Sequence, residues 1–370
     1  MPEAPGHDAD DTNSVSGVVA ANSAIAEIAE THHIDKIGFC AADVFADVRD
    51  ALHERKAAGL SADMAFTYRN PDRSTDPSRT LENARSIVVG ARSYRRSAKT
   101  SEAQPTCRER EGEPAGAGSA AIAEYVWEPH YAELRVGLEA IASYLQDAGW
   151  QARVLIDDNA LVDRAAAYRA GIGWWGKNSN ILVPGVGSKF VLGSVITDAP
   201  LVHNEEPLED QCGPCRRCID ACPTNAIVAD GVIDANRCLA WLVQSPGSFP
   251  LEFREALGGR IYGCDDCQTS CPPNVVAERA DAGPATSGMS SVEVAELLSL
   301  DDEALMEAFG AWYIPRREPR YLRRNALVVL GNVGDPESPE VQSIVDTYLE
   351  SADEIEREHA QWAAEQLGLQ

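Results

Sequence analysis

Two short stretches limit what this chain can become. Residues 212–223 read CGPCRRCIDACP and residues 263–274 read GCDDCQTSCPPN. In the first, Cys212, Cys215, Cys218 and Cys222 are spaced C-x2-C-x2-C-x3-C with Pro223 next, the bacterial ferredoxin run. Three closely spaced thiolates on a tight loop aim at one cluster. The fourth lies past the loop, points away and serves the neighbouring cluster. The second stretch supplies Cys264, Cys267 and Cys271, again followed by proline, and Cys238 upstream replaces the missing middle ligand. The ferredoxin exchange rule then gives one 4Fe-4S cluster to Cys212, Cys215, Cys218 and Cys271. It gives the other to Cys222, Cys238, Cys264 and Cys267, so that all eight sulfurs are used. Zinc is the competing reading, because paired C-x2-C units also bind it. Zinc leaves the triple spacing and the two trailing prolines without a reason. Cys40 follows an apolar, strand-like segment and is expected to be a small core residue, and Cys107 lies in a polar insertion.

The clusters occupy a minor part of 370 residues, a length that suggests two or three domains. No run approaches the roughly eighteen apolar residues of a membrane span. The stretch MPEAPGHDADDTNSVSG is acidic and lacks a signal peptide's basic start and apolar core, so a cytoplasmic location is expected. There thiols stay reduced, which favours metal over disulfides. The net charge of −26 disfavours indiscriminate binding to nucleic acid or anionic membrane, but leaves room for a local basic face.

Along the chain, SAIAEIAETHHIDKIGF has helical spacing and then becomes strand-like. SIVVGARSY (86–94) reads as a buried strand, and the polar, Gly- and Pro-rich stretch 97–120 as a surface insertion. Leu134, Leu138, Ile141 and Leu145 step by three or four, which predicts one face of a helix ending near Gly149. ARVLID (152–157) reads as a strand, followed by a helix carrying Arg164 and Tyr168 and closed by Gly171. Residues 180–198 read as strand, Gly-rich turn, strand. Composition shifts near 205 and again near 285. Beyond that, SVEVAELLSL, RRNALVVLGNVG and EREHAQWAAEQLGL have helical spacing, and the last two resemble stacked helical-repeat units. Arg316, Arg317, Arg320, Arg323 and Arg324 fall within nine residues, with Tyr313 and Tyr321 nearby. In so acidic a chain this strip suits phosphate contacts and base stacking, and an RNA backbone contact is expected there.

Residues 163–198, DRAAAYRAGIGWWGKNSNILVPGVGSKFVLGSVITD, followed by the double cluster run and RIYGCDDCQTSCP, resemble the epoxyqueuosine reductase family. The likeness runs from about residue 34 to the C-terminus and takes in residues 63–89 and RRNALVVLGNVGD. It implies an α+β protein with an acidic tail (1–20), a cobalamin-binding α/β catalytic domain (21–205), a bacterial ferredoxin-like double 4Fe-4S domain (206–285) and a C-terminal HEAT-like α-helical repeat (286–370). It implies reduction of epoxyqueuosine to queuosine in a tRNA anticodon by a monomer using base-off cobalamin, two 4Fe-4S clusters and an external low-potential electron donor. From the residues alone, Asp157, Asp158 or Asn159 is a cap for the next helix. The resemblance makes Asp157 the proton-donating acid, and places Arg73, Asp157, Lys177, Asn180, Gly187 and Ser188 around cobalamin. The chain departs from the family's pattern at Asp158, Ala160, Asp163, His130 and Ala240, around substrate and cobalt rather than around the clusters. Those departures keep two alternatives open: a related cobalamin and iron–sulfur reductase with another substrate, or a non-catalytic electron carrier.

Overall fold

The structure is a computed structural model and describes residues 15–94, 118–204, 206–280 and 289–369. In chain order it forms helix α1 (Val15–Thr31), strands β1 (Lys36–Ala41), β2 (Ser86–Ser93) and β3 (Ser119–Ile122), and helix α2 (His130–Asp147). Then come β4 (Ala152–Leu155), α3 (Asp163–Arg169), β5 (Trp174–Trp175), β6 (Ile181–Leu182) and β7 (Phe190–Thr197). The cysteine region carries β8 (Ile227–Ala229), β9 (Val232–Ile233) and β10 (Arg260–Tyr262), and β11 (Ser291–Glu293) follows. The chain closes with α4 (Arg320–Val333), α5 (Pro339–Leu349) and α6 (Glu354–Leu367). Among the described residues no helix is long and apolar enough to cross a membrane.

Two compact units result, and both are discontinuous in sequence. The first gathers residues up to Gly59 with Ala65–Tyr94 and Pro129–Pro214; the second gathers Leu60–Met64, Arg95–Glu128 and Cys215–Gln370. The cysteine region from Cys215 onward and the C-terminal helices, which composition separated near 285, share the second unit, while Cys212 belongs to the first. Helix α1 starts at Val15, inside the stretch expected to be tail, while residues 1–14 and most of the polar insertion lie outside the described residues.

In the first unit four antiparallel strands run in the order β1-β2-β7-β4. The central strands SIVVGARS and FVLGSVIT are rich in β-branched residues and almost wholly buried, as strands covered on both faces must be. Side chains alternate between faces. Ile87, Val89, Ala91 and Ile196 share a core with Ala165, Ala166 and Ala167 of α3. On the other face lies α2, whose Leu134, Leu138, Ile141 and Leu145 are buried as their spacing predicts. Gly90 and Gly193 face one another across β2 and β7. A Cβ at Gly193 would lie 2.6 Å from the Leu138 side chain, so the missing side chain lets α2 sit directly on the sheet.

Residues 180–198 do form two strands, but these do not pair with each other. Val183 and Gly187 close a tight turn through reciprocal backbone hydrogen bonds of 2.8 and 2.9 Å. β6 pairs with β5, and β7 runs between β2 and β4. Two residues of β6 cannot cover an eight-residue apolar strand, whereas β2 can.

In the second unit β3 lies between β10, which it meets in parallel, and β11, which it meets antiparallel. Helix α4 packs along α6, and α6 along α5. Tyr262 stacks on Trp312 with ring centroids 4.5 Å apart. His359 of α6 is fully buried. Its Nδ1–H donates to the Ile355 carbonyl (2.6 Å) and its Nε2 accepts the Phe249 N–H (3.1 Å). Burial pushes its pKa down to about 4, and nearby Arg254 acts in the same direction. A histidine depressed on folding contributes stability above its unfolded pKa of about 6.5 that is lost as pH falls through the folded value. Acidification from pH 7 to below 4 is therefore expected to remove about 3 kcal/mol through His359. Urea midpoints measured across this range should fall less steeply in His359→Gln than in the parent; equal slopes would refute the assignment.

Candidate functional site

The loop after β4 carries the first cluster of reactive groups. Leu155 stands opposite Ser194, and Ser93 opposite Phe190, so the end of β4, the end of β2 and the start of β7 lie at one end of the sheet. Asp157 follows β4 with φ 49°, in the left-handed region that Asp tolerates better than most residues. It caps no helix. α3 starts only at Asp163, with Val162 before it and no side-chain cap. The intervening residues are held elsewhere. The Asp158 carboxylate accepts the Ala160 N–H at 2.8 Å. Asn159 accepts from the Arg73 guanidinium through its side chain (2.8 Å) and from the Ser74 hydroxyl through its carbonyl (2.6 Å). The Val162 N–H donates to the Ser74 carbonyl at 3.1 Å. Arg73 thus braces the Asp157 loop through Asn159, which is held here rather than capping a helix, and Ser74, which sequence reading passed over, holds the same residue.

Burial, and then the charge of Asp158, raise the Asp157 pKa above the ordinary carboxylate range. Asp163 is raised further, by burial first and Asp157 next, while Arg164 pulls the other way. The Asp163 Oδ1 is buried without a hydrogen bond. Burial and neighbouring carboxylates make both groups hold a proton more firmly than an exposed carboxyl does, the direction a proton donor requires. The sequence signal for Asp163 was its place in the apolar stretch ALVDRAAA, where an ionised carboxylate is costly.

The Arg164 guanidinium donates to the Ser179 carbonyl at 3.3 Å and so ties α3 to the turn that carries Lys177 and Asn180. Asn180 closes that turn, its carbonyl accepting the Gly176 N–H at 2.8 Å. A Cβ at Gly173 would lie 2.4 Å from the Leu182 carbonyl oxygen, so only glycine permits the β5–β6 approach. Gly187, at φ 85°, and buried Ser188 directly precede β7.

The thiols form the second group. Burial raises Cys212, while the backbone N–H of Lys177 and the indole of Trp174 act on its sulfur in the opposite sense. The Cys222 sulfur accepts the Ala226 N–H at 3.2 Å. Cys267 is raised well above the ordinary thiol range by burial, and then by Cys264, Cys238, Asp265 and Cys222. Cys264 is raised by burial and by Asp266 and Cys238. Crowded, desolvated sulfurs of this kind resist ionisation until a metal ion inverts the local electrostatics. Cys40 is buried, with its pKa pushed up to about 12, as a packed core thiol should be.

The arginine strip requires correction. Arg324 is fully buried, and its guanidinium donates to the carbonyls of Leu242, Val243, Ser245 and Gly247 and to the Asn325 side chain. It is a core residue and offers nothing to a phosphate. Arg320 is paired with Glu318 and Asp353, and Arg323 with Asp302 and Glu356. Tyr321 is buried too. A helix places such residues on several faces, and here one face is the core. Arg316 and Arg317 remain exposed, on a turn where both take positive φ, with Tyr313 59% exposed beside them. His130 opens α2 as a buried residue 5.9 Å from the Tyr94 ring, and Ala240 lies in the short helix Leu239–Leu242.

Comparison with known proteins bears on both groups. Residues 211–274 match the family described as 4Fe-4S double cluster binding domain. Epoxyqueuosine reductase of Bacillus anthracis is 31% identical over 344 residues, covering 92% of this chain and 87% of that protein. The Bacillus subtilis protein of the same name is 33% identical over 328 residues, covering 86% and 81%. Among solved structures, a crystal structure of epoxyqueuosine reductase with an epoxyqueuosine-modified tRNA-Tyr stem loop superposes with a TM-score of 0.80 at 30% identity, over 94% of this chain and 90% of that one.

Proposed function

The chain belongs to the epoxyqueuosine reductase family, and from that premise we propose that it reduces the epoxide of epoxyqueuosine in tRNA to the alkene of queuosine. The observation that carries the reading is the Asp157 loop. Removing the epoxide oxygen as water takes two electrons and two protons, and Asp157, whose pKa burial raises, would hold a proton for that step more readily than an exposed carboxyl. Asp163 is buried close enough to Asp157 for that carboxylate's charge to raise its pKa as well. The Arg73–Asn159 and Ser74–Asn159 bonds fix the loop that aims the acid.

Bound cobalamin would supply a strongly reducing, nucleophilic cobalt centre, with low-potential electrons from the iron–sulfur clusters. The residues fit such a group. A Cβ placed at Gly185 meets nothing within 4 Å, so the turn before β7 is open at its tip. Lys177, Asn180 and Arg73 offer the donors that a corrin's amides and phosphate require. The eight cysteines provide for two 4Fe-4S clusters. Mutual influence among Cys222, Cys238, Cys264 and Cys267 supports the ligand set that spacing gives the second cluster. Helices α4–α6 serve as a HEAT-like layer, and Arg316, Arg317 and Tyr313 present the RNA contact.

The test is conversion of a stem loop bearing epoxyqueuosine by anaerobically reconstituted, chemically reduced protein supplied with cobalamin, with the nucleoside product identified by mass. Queuosine is expected. Protein that holds both clusters and cobalamin yet leaves this RNA unchanged would favour a different substrate. Arg316→Ala/Arg317→Ala should weaken stem-loop binding and reduce the slope of log affinity against log salt by about one to two. An unchanged slope removes these residues from the interface.

A further inference from the structure

The indole of Trp174 carries an inference beyond cofactor content. Trp174 is 4% exposed, and its Nε1 is buried without a hydrogen-bond partner. Leaving such a donor unsatisfied costs on the order of 1–3 kcal/mol, so a native structure that does so needs a reason. The group on which the indole acts is the sulfur of Cys212, in company with the backbone N–H of Lys177. Neither donor is free to turn elsewhere. Trp174 is paired with Leu182 in the β5–β6 ribbon. The turn that follows is closed by the Gly176–Asn180 and Ser179–Gly176 backbone bonds, 2.8 and 2.9 Å. A Cβ at Gly176 would lie 2.7 Å from the Asn178 side-chain oxygen, so this turn admits no bulkier residue without rearrangement.

A neutral thiol is a weak acceptor, but a ligating thiolate is a strong one. We propose that Trp174, with the Lys177 backbone N–H, donates N–H···S hydrogen bonds to Cys212 once that sulfur ligates an iron–sulfur cluster, and thereby raises the reduction potential of that cluster. The inference rests on Cys212 being a cluster ligand. Reduction adds one electron to the cluster and moves no proton. The added negative charge spreads onto the ligand sulfurs, so donors aimed at a sulfur stabilise the reduced form more than the oxidised one. Cys222 receives a comparable bond from the Ala226 backbone N–H, which substitution cannot remove. At Cys212 one of the two donors is a side chain, so its effect can be deleted. Trp174 is a positioning and tuning residue, and its neighbour Lys177 belongs to the candidate cobalamin contacts. One turn would thus reach both a cluster ligand and the candidate cobalamin site.

The test is an EPR-monitored redox titration of anaerobically reconstituted full-length parent and Trp174→Phe, with iron counted in both. At about eight irons per chain, one of the two cluster midpoints should move to more negative potential while the other stays. A shift equivalent to about tenfold in the reduced-to-oxidised ratio at fixed potential is expected, about 59 mV for one electron. Two unmoved midpoints at full iron content would overturn the proposal. Should Trp174→Phe fail to hold its clusters, parent protein labelled with indole-15N tryptophan decides. A 15N hyperfine coupling to a reduced cluster supports the bond, and its absence overturns it. Zinc, or far fewer than eight irons, in the parent overturns the cluster reading itself, an outcome distinct from either.

Discussion

Asp157→Asn is expected to cut turnover of epoxyqueuosine by roughly 10²–10⁴-fold, the usual contribution of a positioned general acid, while leaving iron content and stem-loop affinity unchanged. The amide keeps the shape and burial of the side chain and loses only the transferable proton. The pH dependence gives the prediction its sign. Burial and Asp158 raise the Asp157 pKa, so the active, protonated form persists below that raised value and is lost as pH rises through it. Single-turnover rates should therefore fall on the alkaline side. Asp158→Asn removes the like charge that helps raise the Asp157 pKa, and should move this limb to lower pH. The same rate for Asp157→Asn and parent at every pH would remove Asp157 from the chemistry and leave it as a loop residue. A flat profile in the parent would show that proton transfer does not limit the measured step.

Arg324→Met is expected to destabilise the second unit by about 4 kcal/mol or more and to strip iron from it. The Ser245 and Gly247 carbonyls and the Asn325 side-chain oxygen lose this donor at once, while the Leu242 and Val243 carbonyls keep only the Ser245 hydroxyl and the Asn325 amide. Each buried acceptor left unpaired costs about 1–3 kcal/mol before relaxation. The guanidinium survives as a buried cation because carbonyl oxygens surround it and the Tyr321 and Phe249 rings lie 5.4 and 5.7 Å from its centre. Burial lowers its pKa to about 9, which leaves it charged at neutral pH. The carbonyls it binds belong to residues 242–247, the segment that continues from the short helix after Cys238. Losing Arg324 should free that segment and with it a cluster ligand. Lysine cannot substitute, since a single ammonium offers three donors where the fork of guanidinium supplies five. Urea unfolding together with iron counting checks both parts. A variant with parental stability and iron would show that the carbonyls find other partners. By contrast, Arg316→Ala should change stability by less than about 0.5 kcal/mol, because the residue is exposed.

That contrast between arginines of one run shows where sequence reading stops. A run of guanidiniums announces positive charge, but charge alone does not say which members face solvent. α4 turns Arg324 inward and Arg323 toward Asp302 and Glu356, and these partners lie far off in the chain. The Leu134–Leu145 stripe was legible because a helical period of 3.6 residues is a local property. The destination of residues 190–197 was not, because the partner of a strand is chosen by the whole sheet. Asp157 illustrates the middle case. Its place at the end of a strand was evident, and its candidacy as a helix cap fell only when the Arg73 and Ser74 contacts delayed the start of α3.

The cysteine spacing, by itself, determined that this chain houses a double 4Fe-4S domain, because cluster ligation fixes how many residues can separate neighbouring thiolates on a tight loop. Tertiary structure alone decided which buried groups meet: Asp163 within reach of the Asp157 charge, and Arg324 on the carbonyls of the segment after Cys238. The physical reason is burial. Desolvation raises one carboxyl's pKa and makes one arginine organise a core, and desolvation is a property of what surrounds a side chain rather than of its neighbours in sequence.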